Sequence, residues 1–297
     1  MTIVIAGGSG FLGRKLTTRL ASEGHKVITL SRRPSAGGDQ IAWQPDGNPG
    51  ALPSHLEDIH AIVNLAGENI AEKRWTSARK AALKNSRILS TRTLVRAVAA
   101  CKQPPNVFVS GSAVGYYGWR GDEAVTESTP AGSDFLARLC VEWEGETRTV
   151  KSGATRLVVV RSGLPLDPDE GALAKMLLPF RMGVGATVAS GDQFMPWIHV
   201  DDWTAMVSWL IQNDRAAGVF NATAPGPVTN RTFTQTLARV LHRPALLHAP
   251  AFALRVALGE MASVLVHGQR ALPAAAEQLG FRFTHRALEP ALESLNL

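Results

Sequence analysis

The feature that most constrains this chain is a glycine-rich turn that joins its first strand to its first helix. Residues 2–6 form a short β-branched apolar run, which is typical of a strand buried on both faces. Glycines follow at once, and a helical pattern begins beyond them. Unpaired N–H groups and the positive end of the helix dipole then point at the turn, so the pattern predicts an anion site. Its predicted residues are Gly7, Gly10, Phe11, Leu12 and Gly13.

The spacing of these glycines predicts that the anion is the pyrophosphate of a dinucleotide. Gly7 permits the tight turn, Gly10 lets a phosphate approach the backbone, and Gly13 lets the helix pack closely on the sheet. The spacing Gly-x-x-Gly-x-x-Gly differs from the G-x-G-x-x-G form. A glycine-rich turn with no ligand is the alternative, but the order of strand, turn and helix favours the dinucleotide.

The end of the second strand predicts which dinucleotide binds. Residues 26–30 are apolar, and Ser31, Arg32 and Arg33 follow where an NAD-selective site would place an acidic residue. Guanidinium and hydroxyl donors favour a ribose 2′-phosphate, whereas a carboxylate would repel it. We therefore predict NADP(H) as the cofactor, and a solvated turn is the alternative for one of the two arginines.

Three further apolar runs, at residues 59–65, 107–109 and 154–161, alternate with helical patterns. This alternation predicts an α/β fold: a Rossmann-type, doubly wound parallel sheet with a smaller C-terminal α/β substrate domain. We assign residues 1–165 to the dinucleotide domain, with 199–222 returning to it, and residues 166–297 to the substrate domain. Small residues at the end of the 59–65 strand are expected to line the adenine and ribose. They are Leu65, Ala66 and Gly67.

Composition excludes several other classes of protein. No apolar run reaches the roughly 20 residues that span a bilayer, and no cleavable leader pattern precedes the first strand. The two cysteines and eight histidines lack metal-ligand spacing. The net charge of +6 is spread along the chain and not clustered. We therefore expect a cytoplasmic protein with no metal, no nucleic-acid partner and no membrane partner, and a small molecule as substrate.

The order of motifs along the whole chain resembles one protein family. The shared motifs are Gly7 to Gly13, Asn64-Leu65-Ala66-Gly67, Ser110-Gly111-Ser112 with Tyr116-Tyr117-Gly118, Arg161-Ser162-Gly163, Pro196 to Asp202 and Phe220-Asn221. They are similar to the extended short-chain dehydrogenases/reductases. A more specific set resembles the atypical epimerase-family branch. That set is Ala66 to Ile70, Lys73-Arg74-Trp75, Ser86-Arg87, Met176 to Phe180 and Gly268 to Pro273.

The resemblance implies an NADP(H)-dependent oxidoreductase or epimerase-like enzyme acting on a small carbonyl or alcohol, nucleotide-linked or free. It adds two cofactor contacts, Arg87 on a long helix and Leu164 at a later strand end. From about residue 244 the chain carries the family's own helical extension. This extension has no assigned chemistry, and a protein partner or homo-oligomer is left open.

Catalysis is where the sequence departs from the superfamily. The resemblance implies a serine that positions the substrate oxygen, and Ser112 matches it. It also implies a Tyr-x-x-x-Lys pair on the helix of residues 134–149, but the tyrosine position holds Phe135 or Leu136 and the lysine position Leu139 or Cys140.

Tyr116 and Tyr117 are the only tyrosines of the chain, and they lie in the loop after Ser112. One is a candidate substitute acid, although packing or stacking roles are the simpler interpretation. The missing pair supports an alternative function, a largely non-catalytic NADP(H)-binding regulator or sensor.

Two groups in the second half invite functional interpretations. Lys175 and Arg181 lie on a predicted cleft helix, where they contact a nucleotide diphosphate or only solvent. His199 with Asp201 and Asp202 suggests catalysis, but we expect a structural role in which the Asp201 carboxylate caps a helix.

Overall fold

The computed structural model describes residues 1–35, 38–148, 150 and 154–297. Its strands are β1 Thr2–Ala6, β2 Lys26–Ser31, β3 Gln40–Ala42, β4 Ala61–Asn64, β5 Val107–Ala113, β6 Ala124–Val125, β7 Arg156–Ser162, β8 Leu164–Leu166, β9 Ala186–Val188, β10 Phe194–Met195, β11 Trp197–His199, β12 Gly218–Ala222, β13 Val228–Thr229, β14 Leu247–Ala249 and β15 Arg270–Ala271. Its α-helices are α1 Phe11–Ser22, α2 Leu52–His55, α3 Ser77–Ala100, α4 Phe135–Thr147, α5 Gly171–Arg181, α6 Val200–Gln212, α7 Asn230–Val240, α8 Ala251–Leu258, α9 Ser263–Val266, α10 Ala274–Gln278 and α11 Leu288–Glu293. Short 3₁₀ turns cover Val114–Tyr117 and Gly259–Ala262.

Seven parallel strands form the central sheet in the order β12-β7-β5-β4-β1-β2-β3. The chain runs outward from β1 to β3 and then returns to β4 on the other side of β1, so the strand order reverses between β1 and β4. Ligands of doubly wound sheets bind at such a reversal, beyond the carboxyl ends of the strands. The predicted Rossmann-type fold is confirmed.

Helices cover both faces of this sheet, so β1 is buried on both sides. Ile3 and Ile5 pack with α1 and α6 on one face, while Val4 and Ala6 pack with α3 on the other. Alternate residues of one strand therefore belong to two separate cores. This layering fixes the start of α1 directly above the reversal point.

The smaller part of the molecule consists of short strand pairs and helices grouped around α5, α7 and α11. Four two-stranded pairs build it: β8 with β11, β10 with β13, β9 with β14 and β6 with β15. The last pair joins the C-terminal extension to the loop beyond β5. Strand β12 belongs to the central sheet, beside β7. Within the described residues, no helix is both long and apolar enough to cross a bilayer.

The helix expected at residues 134–149 is shorter than predicted. Asp134 lies outside the helix as its N-cap, and its carboxylate accepts a hydrogen bond from the Ala137 N–H at 2.9 Å. The last helical residue is Thr147, and the predicted end at Thr149 lies outside the described residues.

Candidate functional site

The glycine turn after β1 is packed backbone against backbone. Gly7 has a φ of +82°, and a Cβ there would lie 2.7 Å from the carbonyl carbon of Leu65. At Gly13 a Cβ would lie 2.2 Å from the Gly7 carbonyl oxygen. A larger residue at either position would force backbone segments apart, because the atoms it meets belong to the backbone and not to a flexible side chain. The turn, the end of β4 and the first turn of α1 therefore form one rigid cradle.

The start of α1 suits a phosphate. Gly10 is its N-cap and offers no side chain to cap the first N–H groups. The Gly10 N–H donates to the Gly7 carbonyl at 3.0 Å, which closes the turn beneath the helix. Phe11 and Leu12, the first helical residues, are half-buried beside it. The N–H groups at this end need an external acceptor, and a pyrophosphate supplies one.

The end of β2 presents the polar groups predicted to select NADP(H). Ser31 accepts a hydrogen bond from the Arg33 N–H at 3.1 Å, so its hydroxyl oxygen shapes the turn. Arg32 and Arg33 are both exposed. Among the described residues neither guanidinium has a carboxylate partner, so both charges face solvent at the sheet edge that adjoins the cradle.

Arg87 reaches from α3 to the loop after β4. Its guanidinium donates to the carbonyls of Leu83 and Glu68, both at 3.0 Å, and packs against Gly67. The Trp143 ring lies 5.2 Å away on its other side. Burial lowers the pKa of the Arg87 guanidinium from its usual value. The structure thus brings Arg87 to the strand end that carries Leu65 and Ala66.

A buried network of charged and polar side chains lies at the carboxyl ends of β5 and β7, in the same sheet as the cradle. Ser112 donates to Glu144 Oε1 at 2.6 Å. Arg161 binds the same carboxylate with two hydrogen bonds, at 2.8 and 2.9 Å. All three residues are at most 5% exposed. Such a bidentate pair is fully desolvated, so each charge depends on the other.

The network continues through Tyr117. Its hydroxyl donates to Asn221 Oδ1 at 2.7 Å and accepts from Arg161 Nη1 at 2.9 Å. Burial raises the pKa of Tyr117 to about 12. Tyr116 is half-buried, and the Arg161 guanidinium lies 3.4 Å above its ring. Both tyrosines therefore contact Arg161, but only Tyr117 has its hydroxyl enclosed.

The positions expected to hold the Tyr-x-x-x-Lys pair are packing positions. Phe135 makes an edge contact with Trp75, their ring centroids lying 5.2 Å apart. Leu136 packs under the 3₁₀ turn that carries the tyrosines, and Leu139 and Cys140 are buried. Burial raises the pKa of the Cys140 thiol to about 11. None of these four side chains offers a proton near neutral pH.

Leu164 opens β8 just beyond the carboxyl end of β7. Its N–H donates to the Pro196 carbonyl at 2.7 Å, and its side chain is half-buried. A Cβ on the preceding Gly163 would lie 2.0 Å from that same carbonyl oxygen. The close approach holds Leu164 beyond the carboxyl end of β7, and its contact with the nicotinamide half stays a prediction.

Of the two basic residues on α5, Lys175 donates to the Ala71 carbonyl at 3.4 Å and so bridges to the loop after β4. Arg181 is exposed at the far end of the helix.

The expected cap on α6 is wrong in its detail. The N-cap is His199, whose Nδ1 accepts from the Asp201 N–H at 3.1 Å. The Asp202 carboxylate accepts instead from the N–H groups of Thr284 and His285, at 2.9 and 2.8 Å. The His199 and His285 rings stack with centroids 3.8 Å apart. One ligand atom from each of His199, Asp201 and His285 lies within 4.8 Å of the other two, so the expectation of no metal site stays a prediction.

The sequence did not reveal Glu144, Arg161 and Asn221 as one unit with Ser112. A charged residue at the end of the apolar β7 run is a detectable signal, because a buried arginine requires a carboxylate. Its partner on α4 follows only from the fold.

The cradle at the strand reversal defines a dinucleotide-binding protein of the Rossmann type. The NAD dependent epimerase/dehydratase family matches residues 3–223, and a domain of unknown function, DUF1731, matches residues 249–295. The chain belongs to this epimerase/dehydratase family, and the predicted resemblance to its epimerase-family branch is confirmed.

Three comparisons illustrate the relationship. The epimerase family protein Mb2239 of Mycobacterium bovis is 41% identical over 98% of this chain and 96% of its own length. The crystal structure of human epimerase family protein SDR39U1 with NADPH is similar, with a TM-score of 0.93, 34% identity and 99% of each chain covered. A nucleoside-diphosphate sugar epimerase from Corynebacterium glutamicum gives a TM-score of 0.82 and 31% identity, over 99% of this chain and 58% of that one.

Proposed function

We propose that this chain binds NADP(H) at the glycine cradle and uses it in a redox reaction of a small carbonyl or alcohol. The observation that carries the proposal is the contact of Gly13 with Gly7, which leaves backbone N–H groups, and no side chain, facing the phosphate position. The crystal structure of the human relative with NADPH supports the choice of cofactor.

The chain's own residues divide the task of holding the cofactor. Gly7, Gly10 and Gly13 with the start of α1 hold the pyrophosphate, and Ser31, Arg32 and Arg33 hold the 2′-phosphate. Leu65, Ala66 and Gly67 line the adenosine with Arg87 beside them, while Leu164 lies toward the nicotinamide half. Bound NADPH supplies a hydride. The protein excludes water and orients the two reactants.

A titration of nucleotide fluorescence tests the cofactor. We expect NADPH to bind about tenfold or more tightly than NADH, since charged hydrogen bonds to a phosphate contribute about 1.5–3 kcal/mol. Arg32→Asp should remove or invert that preference. Arg215→Asp, an exposed arginine before the amino end of β12, is the matched control and should leave it unchanged. Equal affinity for both nucleotides in the wild type would contradict the proposal.

Proton transfer in this site must differ from that of the superfamily. The Ser112 hydroxyl donates to Glu144, and the Tyr117 hydroxyl is enclosed by Asn221 and Arg161. Tyr116 is only half-buried, so it is the tyrosine better placed to meet a substrate oxygen. We assign it the proton-donating role, with the Arg161 guanidinium 3.4 Å above its ring holding the ring in place.

The same two engaged hydroxyls favour a second candidate, an NADP(H)-binding regulator with little turnover. NADPH oxidation against a panel of carbonyl compounds and nucleotide sugars separates the two. Loss of turnover in Tyr116→Phe with unchanged NADPH affinity supports the enzyme. Unchanged turnover in that variant contradicts the role of Tyr116. No turnover by the wild type, with NADPH bound tightly, supports the regulator.

A further inference from the structure

Large apolar side chains stand exposed on two segments of the smaller part of the molecule. One segment is residues 178–188, from the end of α5 through β9, and the other is residues 242–256, through β14 and most of α8. We name these two segments together the α5–α8 face. Its largest exposed side chains are Leu178 (65%), Met182 (64%), Leu246 (90%), Phe252 (71%) and Val256 (76%).

The two segments form one surface because β9 and β14 pair in parallel. Leu247 lies opposite Ala186 in this pairing, and a Cβ on Gly183 would lie 3.8 Å from Pro244. Helix α8 starts directly after Pro250, so it continues from the same edge. The exposed apolar side chains at the end of α5 and before β14 therefore share one face, and those of α8 follow it directly along the chain.

All formal charge on this face is positive. Residues 171–191 and 215–259 contain no aspartate and no glutamate. Arg181, Arg243 and Arg255 are exposed on the face, and among the described residues none of them has an ion-pair partner. Although the chain's basic surplus is spread along its sequence, the fold concentrates part of it beside exposed leucine and phenylalanine.

We infer that the α5–α8 face docks the protein on an anionic membrane surface. Apolar side chains that stand 64–90% exposed project outward, so they cannot enclose a small ligand. Projecting phenylalanine and leucine flanked by arginine is the pattern of interfacial membrane binding, where the arginines meet lipid phosphates. Such docking needs no membrane-spanning segment. The expectation of no membrane partner rests on the absence of an apolar run that could span a bilayer, so it does not address binding at the membrane surface.

The attachment of α8 fits an interfacial role. None of its side chains is buried among the described residues. Arg74 donates to the Val256 carbonyl, and Lys80 pairs with Glu260 at 2.8 Å. A hydrogen bond to the last turn of α8 and an ion pair to the 3₁₀ turn that follows it thus hold the helix in place, and its apolar side chains are free to enter the lipid headgroup region.

Vesicle flotation with the full-length protein tests the inference. We expect binding to vesicles of phosphatidylglycerol mixed with phosphatidylcholine, no binding to pure phosphatidylcholine, and loss of binding at high ionic strength. Phe252→Ser with Val256→Ser should weaken binding by about tenfold or more, because both side chains then lose apolar burial in the membrane. Arg255→Glu should weaken it by about fivefold or more, since each cation near such a surface contributes roughly 1 kcal/mol.

Two exposed positions away from the face provide controls. Val141→Ser replaces an apolar side chain on α4, and Arg215→Glu reverses a charge before β12. Both should bind vesicles as the wild type does. Thermal unfolding and NADPH affinity should be unchanged in every variant, which separates this inference from the proposed function.

Several results would overturn the inference. They are absence of binding to anionic vesicles, equal binding to neutral ones, or equal binding by the Phe252→Ser, Val256→Ser variant. Analytical ultracentrifugation tests the alternative occupant. If the wild type is dimeric and does not bind vesicles, and the Phe252→Ser, Val256→Ser variant is monomeric, the face binds a second copy of the chain instead.

Discussion

The cradle and the buried network lie at the same edge of one sheet, yet they are held together in different ways. At the cradle, backbone meets backbone: a Cβ on Gly13 would lie 2.2 Å from the Gly7 oxygen. In the network, side chains from β5, α4 and β7 meet, and the Glu144–Arg161 ion pair is at most 4% exposed. The first is sensitive to added volume and the second to lost charge. Single substitutions can therefore tell them apart.

The largest effect is expected from breaking the ion pair. Arg161→Met leaves the Glu144 carboxylate buried with Ser112 as its one remaining side-chain partner among the described residues, which should lower the free energy of unfolding by about 3–5 kcal/mol. Urea denaturation measures it. Adding Glu144→Gln to that variant should restore part of the loss, because the uncompensated charge is removed. A loss below about 1 kcal/mol in the single variant would show that the pair is not desolvated.

The second-largest effect is expected from adding a methyl group at the cradle. Gly13→Ala places a methyl group against the Gly7 carbonyl, so α1 must shift away from the turn. We expect a loss of about 1–3 kcal/mol in unfolding free energy. NADPH affinity should fall by about tenfold or more, since the first-turn N–H groups move with the helix. Retained affinity in a folded variant would contradict the backbone cradle.

This contrast also explains what could be predicted from the sequence. The cradle was predictable because strand, turn and helix are consecutive, and because each glycine serves contacts that recur wherever a helix starts above a sheet. The parallel strands were predictable for the same reason, since burial on both faces makes them continuous apolar runs.

Contacts between distant residues were not predictable in this way. Ser112 meets Glu144, and Asp202 meets Thr284, only after the sheet and the C-terminal extension are assembled. The prediction for the α6 cap is wrong because the N-cap is His199, and histidine is not among the residues that usually cap helices, whereas aspartate is. The side chain of Asp201 is exposed, and that of Asp202 is drawn to backbone N–H groups near the C-terminus.

The two tyrosines sharpen the comparison within the network. Tyr117→Phe leaves the Asn221 oxygen and one Arg161 N–H short of a buried partner, so we expect a loss of about 1–3 kcal/mol in unfolding free energy. In the described residues the Tyr116 hydroxyl has no hydrogen-bond partner, and Tyr116→Phe should change stability by less than about 0.5 kcal/mol. Equal losses for both variants would show that the buried hydrogen bonds of the Tyr117 hydroxyl do not stabilise the fold.

The His199 ring, like the buried network, is held by side-chain contacts, and its contribution to stability depends on pH. Burial, and then the neighbouring His285, lowers the pKa of His199 below its usual 6.5, against the raising influence of Asp201, Asp202 and Asp167. Below about pH 6.5 the unfolded chain binds the proton more readily. The stabilisation is therefore complete above that pH and is lost as the pH falls.

We expect the unfolding free energy to decrease between about pH 7 and pH 5.5 through this residue, by at most about 1 kcal/mol for an unfolded pKa of about 6.5. His199→Asn keeps a helix cap but does not titrate, so its decrease should be smaller than that of the wild type. Urea denaturation at the two pH values measures both. An identical decrease in the two proteins would assign the pH dependence to other groups.

The smallest effect is expected at Gly145, which lies next to Glu144 inside α4. A Cβ there would meet no atom within 4 Å, and its φ is not positive. This glycine therefore has no packing or conformational requirement that alanine fails to meet, unlike Gly13. Gly145→Ala should raise the unfolding free energy by about 0.5–1 kcal/mol, since glycine costs that much in a helix interior.

Urea denaturation measures the gain at Gly145, and NADPH affinity should not change. The same substitution would then have opposite signs at Gly13 and Gly145. That result would show that glycine is required at Gly13 because the backbones are in contact there, and not because helices tolerate glycine in general. A destabilised Gly145→Ala variant would instead show that α4 is pressed against the network more tightly than its open Cβ position indicates.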